Sequence, residues 1–560
     1  MKIIKRLIIF WMVMIMSISM VNCGGGKKAE VSALSYEKPI AVADMDAYQR
    51  ESKGDGTSNA TKKNNAPTQN GVVICPFYSL KVNGKEIPVY STRCTNSTHS
   101  FAWIDVENAP DNFTLDVELT TQKTYTSALV LPEKSGVSAN LSGQKVTAKI
   151  TEYGDYSFVF STDKRKTIKN TNQPLTLMVA PKHQPEVPAG YEYMEIEPGT
   201  YGYDDLKLQS NTFYLFKKGN YDIRRIVVSQ KENVEIYFEP GAYLSVYETP
   251  TIAVDQYGIC GPVFNVSQSE NISIKGRGLF DFSAVRGWFK KADGSDQDMT
   301  QYVFNFYNNK NMYISGITTI NSNHWTFRIG ACEDILAEWI LMLGYRNYSD
   351  GFIYSDCVNA TARYMFARTG DDGIEVKALG AYGGYKDTIP VATNVLFEKC
   401  TVWNDSAAAF GVIYENYKPI DGVVFRDCSV GFSTVGSTNA NNAPLNVRLS
   451  YPGTALWKNI TFEDIEIYSC GQSAFTLEWN MSGGWVENVL VKDITVKNAA
   501  AGIRVNDDSG KFDDQALALR CKNFVFENFV FKNKKLTEAD KETWYFSYSR
   551  PSLKNLFTVK

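Results

Sequence analysis

The sequence predicts an all-β protein, an N-terminal β-sandwich followed by a right-handed parallel β-helix (solenoid). Three observations predict it. Short runs of alternating apolar and polar residues fill the stretch from Val72 to Pro181, a strand-turn-strand unit recurs from Pro188 onward, and segments of helical period are almost lacking.

Composition bounds the function before any motif does. The chain has 560 residues, 44% hydrophobic and 21% charged, enough apolar material for one large all-β domain and a smaller one. A formal net charge of −3 lacks the basic footprint of a nucleic-acid binder. Its three histidines (His99, His183 and His324) are too far apart for a zinc site of local spacing. Aromatics at 13% suit both β-rich cores and sugar stacking.

Taken in order, residues 1–23 open with Lys2, Lys5 and Arg6 and then run apolar from Leu7 to Val21, the layout of an export signal too short to span a bilayer. Cys23 stands where a bacterial lipoprotein signal carries its acylated cysteine, a resemblance that implies a lipid anchor at the periplasmic or cell-surface side of a membrane and no other membrane contact. Residues 24–70 are polar and lack an apolar period, and are expected to be a flexible tether. Residues 71–186 form the expected sandwich, with strands such as Tyr78-Ser79-Leu80-Lys81-Val82 and Lys145-Val146-Thr147-Ala148-Lys149-Ile150. The proline-rich Pro181 to Pro188 stretch separates it from the β-helix with its C-terminal cap, 187–560. Nine cysteines besides Cys23 make a complete disulfide framework impossible. Most are expected free and buried, with Cys357, Cys400, Cys428 and Cys470 at similar places in successive repeats and Cys75–Cys94 as the one candidate bridge.

The repeat carries the fold. Asn, followed by two apolar-x-apolar strands around a polar pair, recurs at 233, 271, 311, 359, 394, 459, 488 and 523, with Asp334 and Gly422 in the equivalent place of two further units. Spacings run from 23 to 40 residues, too short and uneven for the four-stranded blades of a β-propeller. Each unit is one coil, and stacked coils set an outward residue directly over its counterpart about 4.8 Å away.

On that geometry, Ser349-Asp350-Gly351 and Asp371-Asp372-Gly373 fall one short coil apart, so Asp350, Asp371 and Asp372 crowd one patch. One Asp-Gly pair is ordinarily a turn. Two in register with a third Asp beside them point to chemistry, because stacked like charges raise one another's pKa. Glycosidic hydrolysis needs a proton donor at the leaving oxygen and a carboxylate that attacks the sugar or activates water, and three acids supply both.

These residues match a known pattern. Asn347-Tyr348-Ser349-Asp350-Gly351 resembles the N-T-D motif, and Gly370-Asp371-Asp372-Gly373-Ile374 the G-D-D motif, of the β-helical glycoside hydrolases, namely the polygalacturonases of family 28 and the dextranases and isopullulanases of family 49. Because a sandwich also precedes the β-helix in the dextranase-like family, the resemblance spans about Val72 to Asn533. It implies an inverting hydrolase of α-linked polysaccharide that needs no cofactor or metal, with Asp371 as general acid and Asp350 and Asp372 holding and deprotonating the attacking water. Two polygalacturonase features are missing. The stretch from Trp403 to Gly411 has no His, and no Arg-x-Lys follows, the nearest candidate being Asn446-Val447-Arg448-Leu449-Ser450. The departure favours a neutral α-glucan of dextran or pullulan type over galacturonan.

His324, Trp325, Trp403, Tyr414, Glu415, Arg448, Glu478 and Trp479 are expected to line sugar subsites on the acid face, and the Gly- and Tyr-rich Ala378 to Pro390 insertion to wall it. Lys377 is assigned no role, as an outward Lys on a strand is ordinarily solvated. Rival readings are a polygalacturonase-like hydrolase of acidic polysaccharide, a calcium-dependent polysaccharide lyase and a non-catalytic glycan-binding surface solenoid.

Overall fold

The computed structural model describes residues 27–41, 71–94, 97–163, 173–247, 259–260, 262–285, 288–290, 296–298, 300–301, 303–346, 348–380, 391–433, 443–449, 455–479, 484–508 and 510–560. The signal segment with Cys23, most of the expected tether, and residues 381–390 of the insertion lie outside them.

A seven-stranded and a five-stranded sheet pack face to face in the N-terminal domain. Leu80 pairs opposite Leu119 and Val82 opposite Val117, so period two in sequence becomes one apolar face. That face meets Ala102, Ile104, Phe158 and Leu177 of the other sheet in a shared core. Part of the expected tether belongs to this domain. Val31–Ala33 pairs antiparallel with Ser97–Val106, and Val31, Leu34 and Tyr36 are buried. Three apolar side chains in six residues are too few to show a period. Cys75 and Cys94 are not bridged but are separate buried thiols, Cys75 Sγ instead lying 3.4 Å from Ser100 Oγ.

The remainder is a right-handed parallel β-helix whose strands form a 21-stranded and a 12-stranded sheet. The recurring Asn has a backbone reason. Asn233, Asn271, Asn311, Asn359, Asn394, Asn459, Asn488 and Asn523 all adopt φ between 50° and 58°, as does Asp334 at 57°. Asn and Asp tolerate this left-handed bend. Their side chains then form a ladder along the solenoid: Asn271 Nδ2 donates to Asn233 Oδ1 at 2.9 Å and Asn311 Nδ2 to Asn271 Oδ1 at 2.7 Å. Where Gly422 interrupts it, Asn459 Nδ2 reaches Asp421 Oδ1 at 2.7 Å. Cys332, Cys357, Cys400 and Cys428 make an interior row, each thiol donating to the carbonyl two residues earlier. Cys470 departs from it and bonds Gln472 O.

The outer face of the seven-stranded sheet covers the 21-stranded sheet, with Phe101, Trp103 and Met178 packed on Leu341, Phe366 and Trp403. Arg277 Nε donates to Asp105 at 2.8 Å across this seam. At the far end, Phe546–Tyr548 and Thr558–Val559 pair with the last coils. Leu536, Leu553 and Leu556 are buried there, closing the open edge. Among the described residues no helix is long and apolar enough to cross a membrane.

Candidate active site

The acids sit where the 12-stranded sheet begins two successive turns of the solenoid. Phe352 pairs with Ile374, and one step earlier Gly351 N–H donates to Asp372 O at 2.9 Å, so Asp350 and Asp372 lie one above the other. The glycines after them serve close stacking rather than a left-handed turn. A Cβ on Gly351 would stand 2.4 Å from Gly373 O, and one on Gly373 would stand 2.5 Å from Ala409 O.

Asp350 and Asp372 are buried, while Asp371 is half-buried. Backbone donors aim the carboxylates. Tyr348 N–H reaches Asp371 Oδ2 at 3.2 Å and Asp372 N–H reaches Asp371 Oδ1 at 3.0 Å. Ala408 N–H, from the next coil, reaches Asp372 Oδ1 at 2.9 Å. Asn404 Nδ2 bonds Thr369 Oγ1 at 3.1 Å, and Thr369 Oγ1 donates to Asp371 O at 2.8 Å, tying down the loop itself.

Two residues that sequence reasoning passed over complete the centre. In Ile374–Ala378 the alternation turns Ile374 and Val376 into the core and Glu375 and Lys377 outward, onto the acid face. Oxygens of Asp350, Asp372 and Glu375 lie within 4.8 Å of one another. The chain itself supplies a cation to this cluster. Lys377 Nζ is 3.1 Å from Glu375 Oε2 and 2.6 Å from Glu415 Oε2, and 4.9 Å from the Trp325 ring centroid. Lys377 is 1% exposed, so its charge is spent inside the site. The period-two position of Lys377 directly after the acid pair was the available signal.

Burial is the largest influence on Asp350, Asp371, Asp372 and Glu375, and it favours the neutral form. Asp350 is held well above the usual carboxyl range by burial and by the charges of Asp371, Glu375 and Asp372, against Lys377. Burial, Glu375 and Asp371 do the same to Asp372. Asp371 is raised by burial and restrained by the Tyr348 N–H. Glu375 is pushed up to about 7 by burial, against the pull of Lys377. Burial alone would lower Lys377, but Glu375, Glu415, Asp350 and Asp372 outweigh it and keep it charged. With one ammonium among these carboxylates, the cluster retains a proton well above the usual carboxyl range. That retained proton is what an acid catalyst needs.

The flanking residues divide. Trp325 lies beside Lys377, and buried His324 is 5.6 Å from the Trp325 ring. His324 is lowered to about 3 by burial and by Arg328 and Lys377, so it stays neutral. Glu415 holds Lys377. Arg448 and Glu478 stack on neighbouring strands and pair at 2.8 Å. Trp403 is not on this face. It belongs to the sheet covered by the sandwich, fully buried, with its ring 5.2 Å from His99. Nor is Trp479, which is buried in the solenoid core. It follows Glu478 in a strand, and consecutive side chains point to opposite faces. The Tyr414 side chain and Asn347 lie outside what the structure describes.

Residues 244–469 match the family model described as Glycosyl hydrolases family 28, a stretch that includes every acid of this centre. The chain is a β-helical glycoside hydrolase. In fold, the hydrolase is similar to Dex49A from Penicillium minioluteum, at 11% identity and a TM-score of 0.58, over 96% of this chain and 99% of that one. A family 28 exopolygalacturonase from Yersinia enterocolitica matches at 11% identity and a TM-score of 0.42, over 80% of this chain and 96% of that one. An exopolygalacturonase from Thermotoga maritima matches at 14% identity and a TM-score of 0.43, over 58% of this chain and 85% of that one. No curated protein sequence matches the hydrolase.

Proposed function

We propose that this is an exported hydrolase of a neutral α-linked polysaccharide, of dextran or pullulan type, acting with inversion. Asp371 donates the proton to the leaving glycosidic oxygen. Its raised pKa and its half-buried position suit a group that must be protonated and reach substrate, while the backbone N–H groups on its two oxygens orient it and stabilise the carboxylate it becomes after donating. Asp350 and Asp372, stacked one coil apart, hold the attacking water, and the member of the coupled pair that is ionised takes its proton.

The observation that carries the neutral substrate is the state of Lys377 and Arg448. A polyuronate needs a positive group to receive its carboxylate. Lys377 is already held by Glu375 and Glu415, and Arg448 by Glu478. Around the acids, negative charge exceeds positive and would repel an acidic chain.

Release of reducing ends from dextran, pullulan, polygalacturonate, and algal and host glycans tests the reading. Turnover of a neutral α-glucan that is indifferent to chelator is expected. Release from polygalacturonate alone would overturn the neutral substrate, and a chelator-sensitive unsaturated product would replace hydrolysis by elimination. Proton NMR of the first-formed product should show the inverted anomer. Export rests on the signal-like residues 1–23 and on Cys23. It predicts incorporation of a fatty-acid label that is lost in Cys23→Ala.

A further inference from the structure

We infer that Lys377 is a positioning residue of this reaction, the built-in counter-cation that lets the acids stand so close together and sets the pH at which the water-activating pair ionises. The inference rests on the hydrolytic reading above and assigns a new role within that site.

Lys377 is the cation that bridges coils here. Its ammonium bonds Glu375 on its own strand and Glu415 on the next one, and it lies over the ring of Trp325 from an earlier coil. With its side chain only 2% exposed, it leaves little room for water to take over this bridging. Removing it would leave Glu375 and Glu415 facing each other with Asp350 and Asp372 close by, so the cluster would have to spread or take up protons. The groups that face Lys377 are Asp350, Asp371 and Asp372 from the two turns, Glu375 on its own strand, Glu415 on the following strand, and His324 from the earlier coil, which in turn faces Arg328. His324 stays neutral in the working range, which leaves Arg328 as the other cation of the set. The sign follows. Loss of Lys377 removes an influence that lowers Asp350 and Asp372, so both would ionise at higher pH. Loss of the Glu375 charge does the reverse.

A charge cycle tests this with Lys377→Met, Lys377→Arg, Glu375→Gln and the double variant Glu375→Gln/Lys377→Met. In Lys377→Met, kcat should fall about 100-fold with KM changed less than about threefold, and the acid limb of kcat/KM should move to higher pH. Glu375→Gln should move that limb to lower pH, the double variant should return it near wild type, and Lys377→Arg should keep it there. A limb that stays fixed in both single variants overturns the inference, as does a Lys377→Met loss confined to KM. If Lys377→Met does not fold, a limb that is lowered in Glu375→Gln and brought back toward wild type in the double variant still decides, and a double variant that stays at the Glu375→Gln position overturns the inference. Infrared titration of the carboxyl bands follows the same shifts without substrate. An unmoved carboxyl titration therefore overturns the role of Lys377, whereas correct titration with no turnover on any glycan overturns the hydrolytic reading.

Discussion

Two buried charge clusters flank the loop that carries the acids, and they are built in opposite ways. On the sandwich side Arg368 is fully buried and bonds Asp405 at 3.0 Å through Nε. Its guanidinium also reaches Ser97 at 3.1 Å and His99 at 3.3 Å, both in the sandwich. Arg368 and Asp405 pair there, cation to carboxylate. On the other side Lys377 faces Asp350, Asp372, Glu375 and Glu415, and the surplus of negative charge stays buried. A matched pair holds two domains together. A mismatched cluster keeps carboxyl groups protonated beyond their ordinary range, which stability does not require and proton transfer does.

The comparison breaks most sharply at Asp371. Asp371→Asn keeps the shape and removes the proton donor, so kcat should fall by about 10³-fold or more while thermal unfolding stays near wild type. Normal turnover would move the general acid elsewhere. The paired cluster should respond in the opposite sense. Arg368→Ala leaves Asp405 buried without its cation and should lower unfolding free energy by about 3–5 kcal/mol in urea titration, with KM of the folded enzyme unchanged. The smallest effect separates the clusters by pH. Asp350 has its folded pKa raised, so its protonated form adds stability that is complete below the unfolded value of about 4 and is lost as pH rises through the folded value. Asp350→Asn should therefore melt about 2 °C above wild type at neutral pH, and the difference should vanish below about pH 4. A mutant that melts lower at neutral pH would mean that the charge is compensated after all.

Much of this site was legible in the sequence because a solenoid converts linear spacing into vertical distance. The 22-residue separation of Asp350 and Asp372 is one coil, and the register is maintained by the Asn ladder that also produces the repeat. Alternation within a strand carries further information that the aromatic character of a residue does not. Glu478 outward puts Trp479 inward, and Val376 inward puts Lys377 outward. Trp403 is a different case, since nothing local says which outer face of the coil another domain will cover.

The sequence by itself therefore determined the coil, its period, the stacking of Asp350 on Asp372 and the short distance to Asp371, because all of these follow from backbone pairing between neighbours along the solenoid. Only the tertiary structure decided which face the sandwich occupies, and so that Trp403 seals a domain seam. It also decided that Lys377 meets a carboxylate from the following coil, 38 residues further along the chain. Burial and long-range charge balance depend on what comes to cover a residue, and that information is spread over the whole chain.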